Sequence, residues 1–302
     1  MTKTFHVKKL ENRENYIILN GIKHWYKIAG AENETIPIVI IHGGPGGNNY
    51  VFERTIGPLL EKFSTVIYYE QRGCGRSGAP KNKDAYSMKL LAFDLAVLCN
   101  ELGLNKIIPL GFSFGGELAL VFTILYPNLV DKVIAQAPSL FSDYKRISFI
   151  QSYGFLQIAK GDFKKRIVDI MSSDIDIEEK CSEIWDNADT ETVDRFLFHN
   201  SKYAKINRDL WKQSELLNTG LMMKALLKEK NEFYMMDKLE EIDVPSLIIT
   251  GIYDRNVGLD LNRDIASKIN NSKFVIFDKS AHFPDIEETT KYAEVIRNFI
   301  KD

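Results

Sequence analysis

The stretch Gly111-Phe112-Ser113-Phe114-Gly115-Gly116 sets a serine between glycines, where the short apolar run Lys106 to Leu110 meets a helical pattern from Phe114 to Tyr126. A G-x-S-x-G turn between a strand and a helix is a nucleophile elbow. Such a turn holds the serine in a strained backbone conformation, and glycines two residues before and after it remove side chains that would collide. The hydroxyl is left exposed at a helix N-terminus, where backbone N–H groups and the helix dipole favour the negative charge of a tetrahedral intermediate. Taken alone, the pentapeptide also admits a reading as a glycine-rich helix cap without chemistry. The strand before it and the helix after it favour chemistry.

A serine hydroxyl needs a base, and five histidines are available: His6, His24, His42, His199 and His282. His282, in Asp278-Lys279-Ser280-Ala281-His282-Phe283, follows the final apolar run, where a loop returns it to the C-terminal edge of a sheet. The acid that orients the imidazole belongs after the penultimate strand. Asp254 fills that place in Gly251-Ile252-Tyr253-Asp254. Asp260, Asp278 and Asp285 compete, but only Asp254 directly follows a strand in the expected place, after the penultimate one. The order Ser113, Asp254, His282 matches the α/β-hydrolase order and neither the chymotrypsin nor the subtilisin order. His42-Gly43-Gly44-Pro45-Gly46-Gly47 closes the Ile36 to Ile41 run with a bare backbone that brings amides close to a substrate carbonyl. The amides of Gly44 and Phe114 are the expected oxyanion hole. His42 precedes the nucleophile and reads as a packed loop residue.

These residues need a scaffold. An Asn20-Gly21 turn joins two β-patterned segments, Tyr16 to Leu19 and Ile22 to Ile28. Short apolar runs at Ile36 to Ile41, Thr65 to Tyr69, Lys106 to Leu110, Val133 to Ala137, Pro245 to Thr250 and Phe274 to Phe277 read as buried parallel strands. Helical spacing lies between them at Tyr50 to Phe63, Lys89 to Leu102 and Phe114 to Tyr126. From about Leu140 to Met236 the pattern is polar-helical and near-neutral, with no strand. The expectation is therefore an α/β fold: a mostly parallel sheet flanked by helices, with residues 1–139 and 237–302 as the core and 140–236 as an inserted helical cap.

Composition narrows the partners. Of 302 residues, 39 are Lys or Arg and 41 Asp or Glu, a net charge of −2 that offers no field for nucleic acid or anionic lipid. No window approaches the roughly 18 apolar residues of a membrane span. The three cysteines, Cys74, Cys99 and Cys181, show no CxxC spacing, which argues against a disulfide framework or a zinc site and for a reducing, cytoplasmic setting. The partner expected is a small molecule or short peptide, with no metal.

Together, His42-Gly43-Gly44-Pro45-Gly46, the loop Glu70-Gln71-Arg72-Gly73-Cys74-Gly75-Arg76-Ser77, the Ser113 elbow, Gly251 to Asp254 and Ala281-His282 resemble the α/β-hydrolases of the proline iminopeptidase type. The resemblance spans residues 42 to 282 outside the cap. It implies release of an N-terminal residue, preferentially proline, from short peptides without a cofactor. It further implies that Arg72 braces neighbouring loops. Family members carry a tryptophan directly after the serine, where this chain has Phe114. They also carry cap glutamates in a Trp-Glu context for the substrate ammonium. Here Trp185 is followed by Asp186, and Trp211 by Lys212 with Glu215 further on; Glu215 is the residue carried over for that role. The same triad also suits a carboxylesterase or lactonase, and, from another class, a ligand receptor built on a hydrolase scaffold.

Overall fold

The computed structural model describes residues 9–216, 218–228 and 234–301. Eight strands form one sheet in the order β1-β2-β4-β3-β5-β6-β7-β8. They are β1 (Arg13–Leu19), β2 (Ile22–Ala29), β3 (Ile38–Ile41), β4 (Val66–Tyr69), β5 (Ile108–Phe112), β6 (Val133–Gln136), β7 (Ser246–Gly251) and β8 (Ser272–Phe277). β1 and β2 make the antiparallel hairpin that Asn20-Gly21 predicts, both turn residues taking positive φ (48° and 78°). β2 runs antiparallel to β4, and from β4 through β8 every pairing is parallel.

Strands buried on both faces need apolar residues at every position. β3 reads Ile-Val-Ile-Ile and β4 Val-Ile-Tyr-Tyr, all buried. Alternate residues of β3 feed opposite sides of the sheet. Val39 and Ile41 join a core with helices α2 (Met88–Leu102), α3 (Phe114–Leu125) and α10 (Leu259–Lys268). Ile38 and Ile40 join the other core, with α1 (Gly57–Leu60) and α12 (Thr289–Lys301).

One helix expectation is corrected. Tyr50 to Phe63 forms a 3-10 turn at Phe52–Arg54 and a single helical turn, α1, in place of a continuous helix. Pro58 has no N–H to continue an upstream helix. A side chain on Gly57 would run into the Tyr68 hydroxyl and the Phe52 carbonyl.

Between β6 and β7 the described residues contain no strand. They form α4 (Tyr144–Ile158), α5 (Gly161–Ser172), α6 (Ile177–Asn187), α7 (Thr190–Leu197), α8 (Ser201–Ser214) and α9 (Leu221–Lys228). This helical segment has its own apolar cluster, in which Phe155 and Phe196 stack with centroids 4.0 Å apart and Trp185 packs edge-on. Buried carboxylates tie the segment to the sheet. Glu117, on α3, accepts from the Phe141 amide (2.6 Å), the Ser142 amide (3.1 Å) and the Ser139 hydroxyl (3.0 Å). Glu287, on the short helix α11 (Pro284–Glu287), accepts from the amides of His199 and Asn200, both at 2.9 Å, and of Ala281 at 2.7 Å.

The arginine loop after β4 is similarly knit. Arg72 holds Asp94 through two 2.6 Å bonds, and Arg76 bridges Glu70 and Glu53. Cys74 lies buried there, and burial raises its thiol well above the ordinary range, leaving it unsuited to act as a nucleophile.

Candidate active site

Ser113 stands between β5 and α3 with φ 55° and ψ −123°, a conformation an L-residue adopts only under constraint. The constraint is steric. A side chain on Gly111 would strike the Gly115 carbonyl, and one on Gly115 the carbonyls of Ile41 and His42, so the elbow packs with no room for a methyl group on either side. The Ser113 carbonyl accepts from the amides of Gly116 (2.9 Å), Glu117 (3.2 Å) and Ser139 (3.1 Å). The amides at the very start of α3, including that of Phe114, are those a helix leaves without a partner inside itself.

The loop at the end of β3 lies alongside. His42 is fully buried; its Nε2 accepts from the Gln71 amide at 3.1 Å, which leaves Nδ1 to donate to the Gly43 carbonyl at 2.9 Å. Burial lowers its pKa. With both ring nitrogens occupied, His42 fastens the glycine loop, the role its place before the nucleophile suggests.

Asp254 and His282 arrive from β7 and β8. Asp254 Oδ1 accepts from the amides of Asn256 (2.8 Å) and Val257 (3.1 Å), and Oδ2 faces His282 Nδ1 at 3.0 Å. Both residues are buried, at 6% and 3% exposure, while Ser113 keeps 9%. The competing acids have other partners. Asp260 pairs with Arg263, Asp278 with Lys291, and Asp285 accepts from Gln136 Nε2 at 2.7 Å.

Ser113 and His282 line a cavity of about 510 Å³, together with Gly43, Gly44 and residues of the helical segment, among them Tyr144, Gln151, Trp185 and Trp211. Asp285 is the sole carboxylate among the described residues lining it, and burial raises its pKa to about 6. Glu215 does not line the cavity. It takes a left-handed conformation (φ 55°) that ends α8 and is exposed, whereas Trp211, four residues earlier, reaches the cavity wall. Glu215, the residue carried over as ammonium receptor, thus stands outside the cavity wall, where the end of α8 places it.

Two polar residues at the cavity escape sequence reading. Asn256 Nδ2 lies 3.0 Å from His282 Nε2, and Gln151 Nε2 donates to Asn256 Oδ1 at 2.8 Å. The second contact joins positions 105 apart, and no local pattern marks either side chain.

A family model described as the alpha/beta hydrolase fold matches residues 36–289. The chain belongs to that family and is a hydrolase that resembles the proline iminopeptidases. A proline iminopeptidase of Thermoplasma volcanium is 26% identical, over 98% of this chain and 99% of the relative. In fold, the chain is similar to a proline iminopeptidase-related protein of Thermus thermophilus (TM-score 0.78, 19% identity, 97% of this chain and 98% of that one). It is also similar to the enol-lactonase of Burkholderia xenovorans (TM-score 0.69, 17% identity, 95% and 100%).

Proposed function

We propose that the protein is a serine hydrolase acting by acyl transfer, with residues 140–236 as a cap over the site. The observation that carries this reading is the 3.0 Å contact of Asp254 with His282 Nδ1, on the wall of the cavity that the strained Ser113 also lines. In this mechanism Ser113 Oγ attacks a carbonyl carbon while His282 Nε2 takes its proton. The N–H groups of Gly44 and Phe114 hold the oxyanion, His282 returns the proton to the leaving group, and water then resolves the acyl-enzyme. Asp254 keeps the imidazole in the tautomer with Nδ1 protonated and stabilises the imidazolium.

The substrate reading is an aminopeptidase that releases N-terminal residues from short peptides, as the names of the curated relatives suggest. A second reading, a carboxylesterase or lactonase with the same triad, is favoured by a specific observation: Glu215 stands outside a cavity walled largely by residues such as Phe52, Phe112, Phe141 and Ile147. Comparing proline p-nitroanilide with its N-blocked form and with p-nitrophenyl acetate decides between them. Turnover that needs the free amine supports the aminopeptidase; turnover of the acetate alone supports the esterase. If a fluorophosphonate fails to label Ser113, the serine-hydrolase reading itself falls.

A further inference from the structure

A chain of hydrogen bonds runs from the cap to the imidazole, and its direction can be deduced from one end. Trp185 Nε1 is a donor only, and it lies 2.9 Å from Gln151 Oε1. Gln151 must therefore turn its amide nitrogen toward Asn256, where it donates to Oδ1 at 2.8 Å. Asn256 in turn must point its own NH₂ at His282 Nε2, 3.0 Å away. An amide that donates to Nε2 requires that nitrogen to be bare, so the ring proton sits on Nδ1, opposite Asp254 Oδ2. The Cys181 thiol, 3.4 Å from the same Gln151 oxygen, donates in the same sense. Read from the indole or from the carboxylate, the tautomer is the same.

The bare nitrogen of a neutral imidazole offers one acceptor site in the ring plane. Ser113 needs that site to lose its proton, and Asn256 already occupies it. We propose that Asn256 is a positioning residue that holds His282 Nε2 in the resting enzyme, anchored by Gln151 and Trp185 of the cap, and that a substrate must displace it before Ser113 is activated. The proposal rests on the triad reading above. All four side chains line the cavity, so an acyl substrate entering there meets the whole relay. A substrate oxygen that accepts from Asn256 Nδ2 would free the base as it binds, making proton transfer conditional on occupancy.

A small fluorophosphonate tests this, because its reaction needs only the nucleophile and base: the Ser113 Oγ–P bond forms, the P–F bond breaks, and the hydroxyl proton passes to Nε2 as fluoride leaves. The second-order labelling rate is measured for the wild type, Asn256→Ala, Asn256→Asp and Gln151→Ala, with thermal unfolding of each. Removing one competing hydrogen bond should speed labelling of Asn256→Ala between about twofold and tenfold. Gln151→Ala, which leaves the asparagine unanchored, should also label faster, and it serves if Asn256→Ala does not fold. Asn256→Asp, which presents only acceptors and so favours the protonated ring, should label more slowly by about threefold or more. Structural damage alone would slow both Asn256 variants. Equal or slower labelling of folded Asn256→Ala, or of Gln151→Ala in its place, overturns the proposal while leaving the triad standing. Absence of labelling in the wild type, or undiminished labelling of Ser113→Ala, overturns the triad reading beneath it.

Discussion

Ser113 keeps its positive φ because the backbone on either side has no slack. Relieving the strain would require moving the strand or the helix, and both are buried in the sheet's cores. Two predictions belong to single residues. Ser113→Ala and His282→Ala should each lower turnover at least about a thousandfold while leaving the thermal transition in place; substantial activity in both would remove the triad. Gly115→Ala puts a methyl group against the Ile41 carbonyl. Overpacking of this kind costs about 1–3 kcal/mol, so that variant should lose both stability and activity, as read by urea denaturation and steady-state turnover. Were it as stable as the wild type, the close approach of elbow and strand would be wrong.

Among the elements, the short helix α11 does more than its length suggests. Glu287 gathers amides from the junction of α7 and α8 and from the His282 loop, and the His282 amide itself donates to Leu197 at 3.0 Å. The loop carrying the imidazole is thereby tied to the helical segment as well as to the sheet. Burial raises Glu287 from 4.5 to about 7. Because the folded-state value lies above the unfolded one, the native protein binds the extra proton between the two, and this group's contribution to stability falls as pH rises through that window. Glu287→Gln removes the titration. On acidification from about pH 8 to about pH 5, the wild-type Tm should therefore rise relative to that of the variant; a constant offset would refute the assignment. Glu117 anchors the other end, and Glu117→Ala, which leaves the partly buried Phe141 and Ser142 amides without their acceptor, should cost about 1–3 kcal/mol in urea denaturation. What the sequence reveals at this scale follows from locality. Strands such as β3 and β4 announce themselves as unbroken apolar runs, and Ser113, Asp254 and His282 each follow one closely. Helical spacing misleads at Tyr50 to Phe63, where Gly57-Pro58 breaks the pattern, while the place of Glu215 depends on where α8 ends, which the resemblance does not record. The links from Gln151 to Asn256 and from Glu287 to Asn200 join distant positions, so no local period records them.

For the molecule as a whole, the cluster around Phe155 in the helical segment between β6 and β7 shares none of its residues with the two cores of the sheet. Phe155→Ala should cost about 3–5 kcal/mol, confined largely to that helical segment. Hydrogen exchange should show amides of α4 and α6 opening sooner while β3 and β5 keep their protection. Uniform loss of protection would instead mean that the helical segment and the sheet unfold as one unit. The separate packing also explains why the sequence marks this segment as helical without arranging its helices, since their mutual contacts depend on aromatic pairs such as Phe155 and Phe196.

The placement of the tryptophans carries an optical consequence. Of three in the chain, Trp185 and Trp211 line the cavity, while Trp25 is sealed beneath the Arg76 guanidinium, 3.2 Å from its ring, with its indole nitrogen bonded to Glu14. Intrinsic emission thus divides into a steady background from Trp25 and a signal from two indoles on the cavity wall, giving a label-free titration of ligand binding in the unmodified protein.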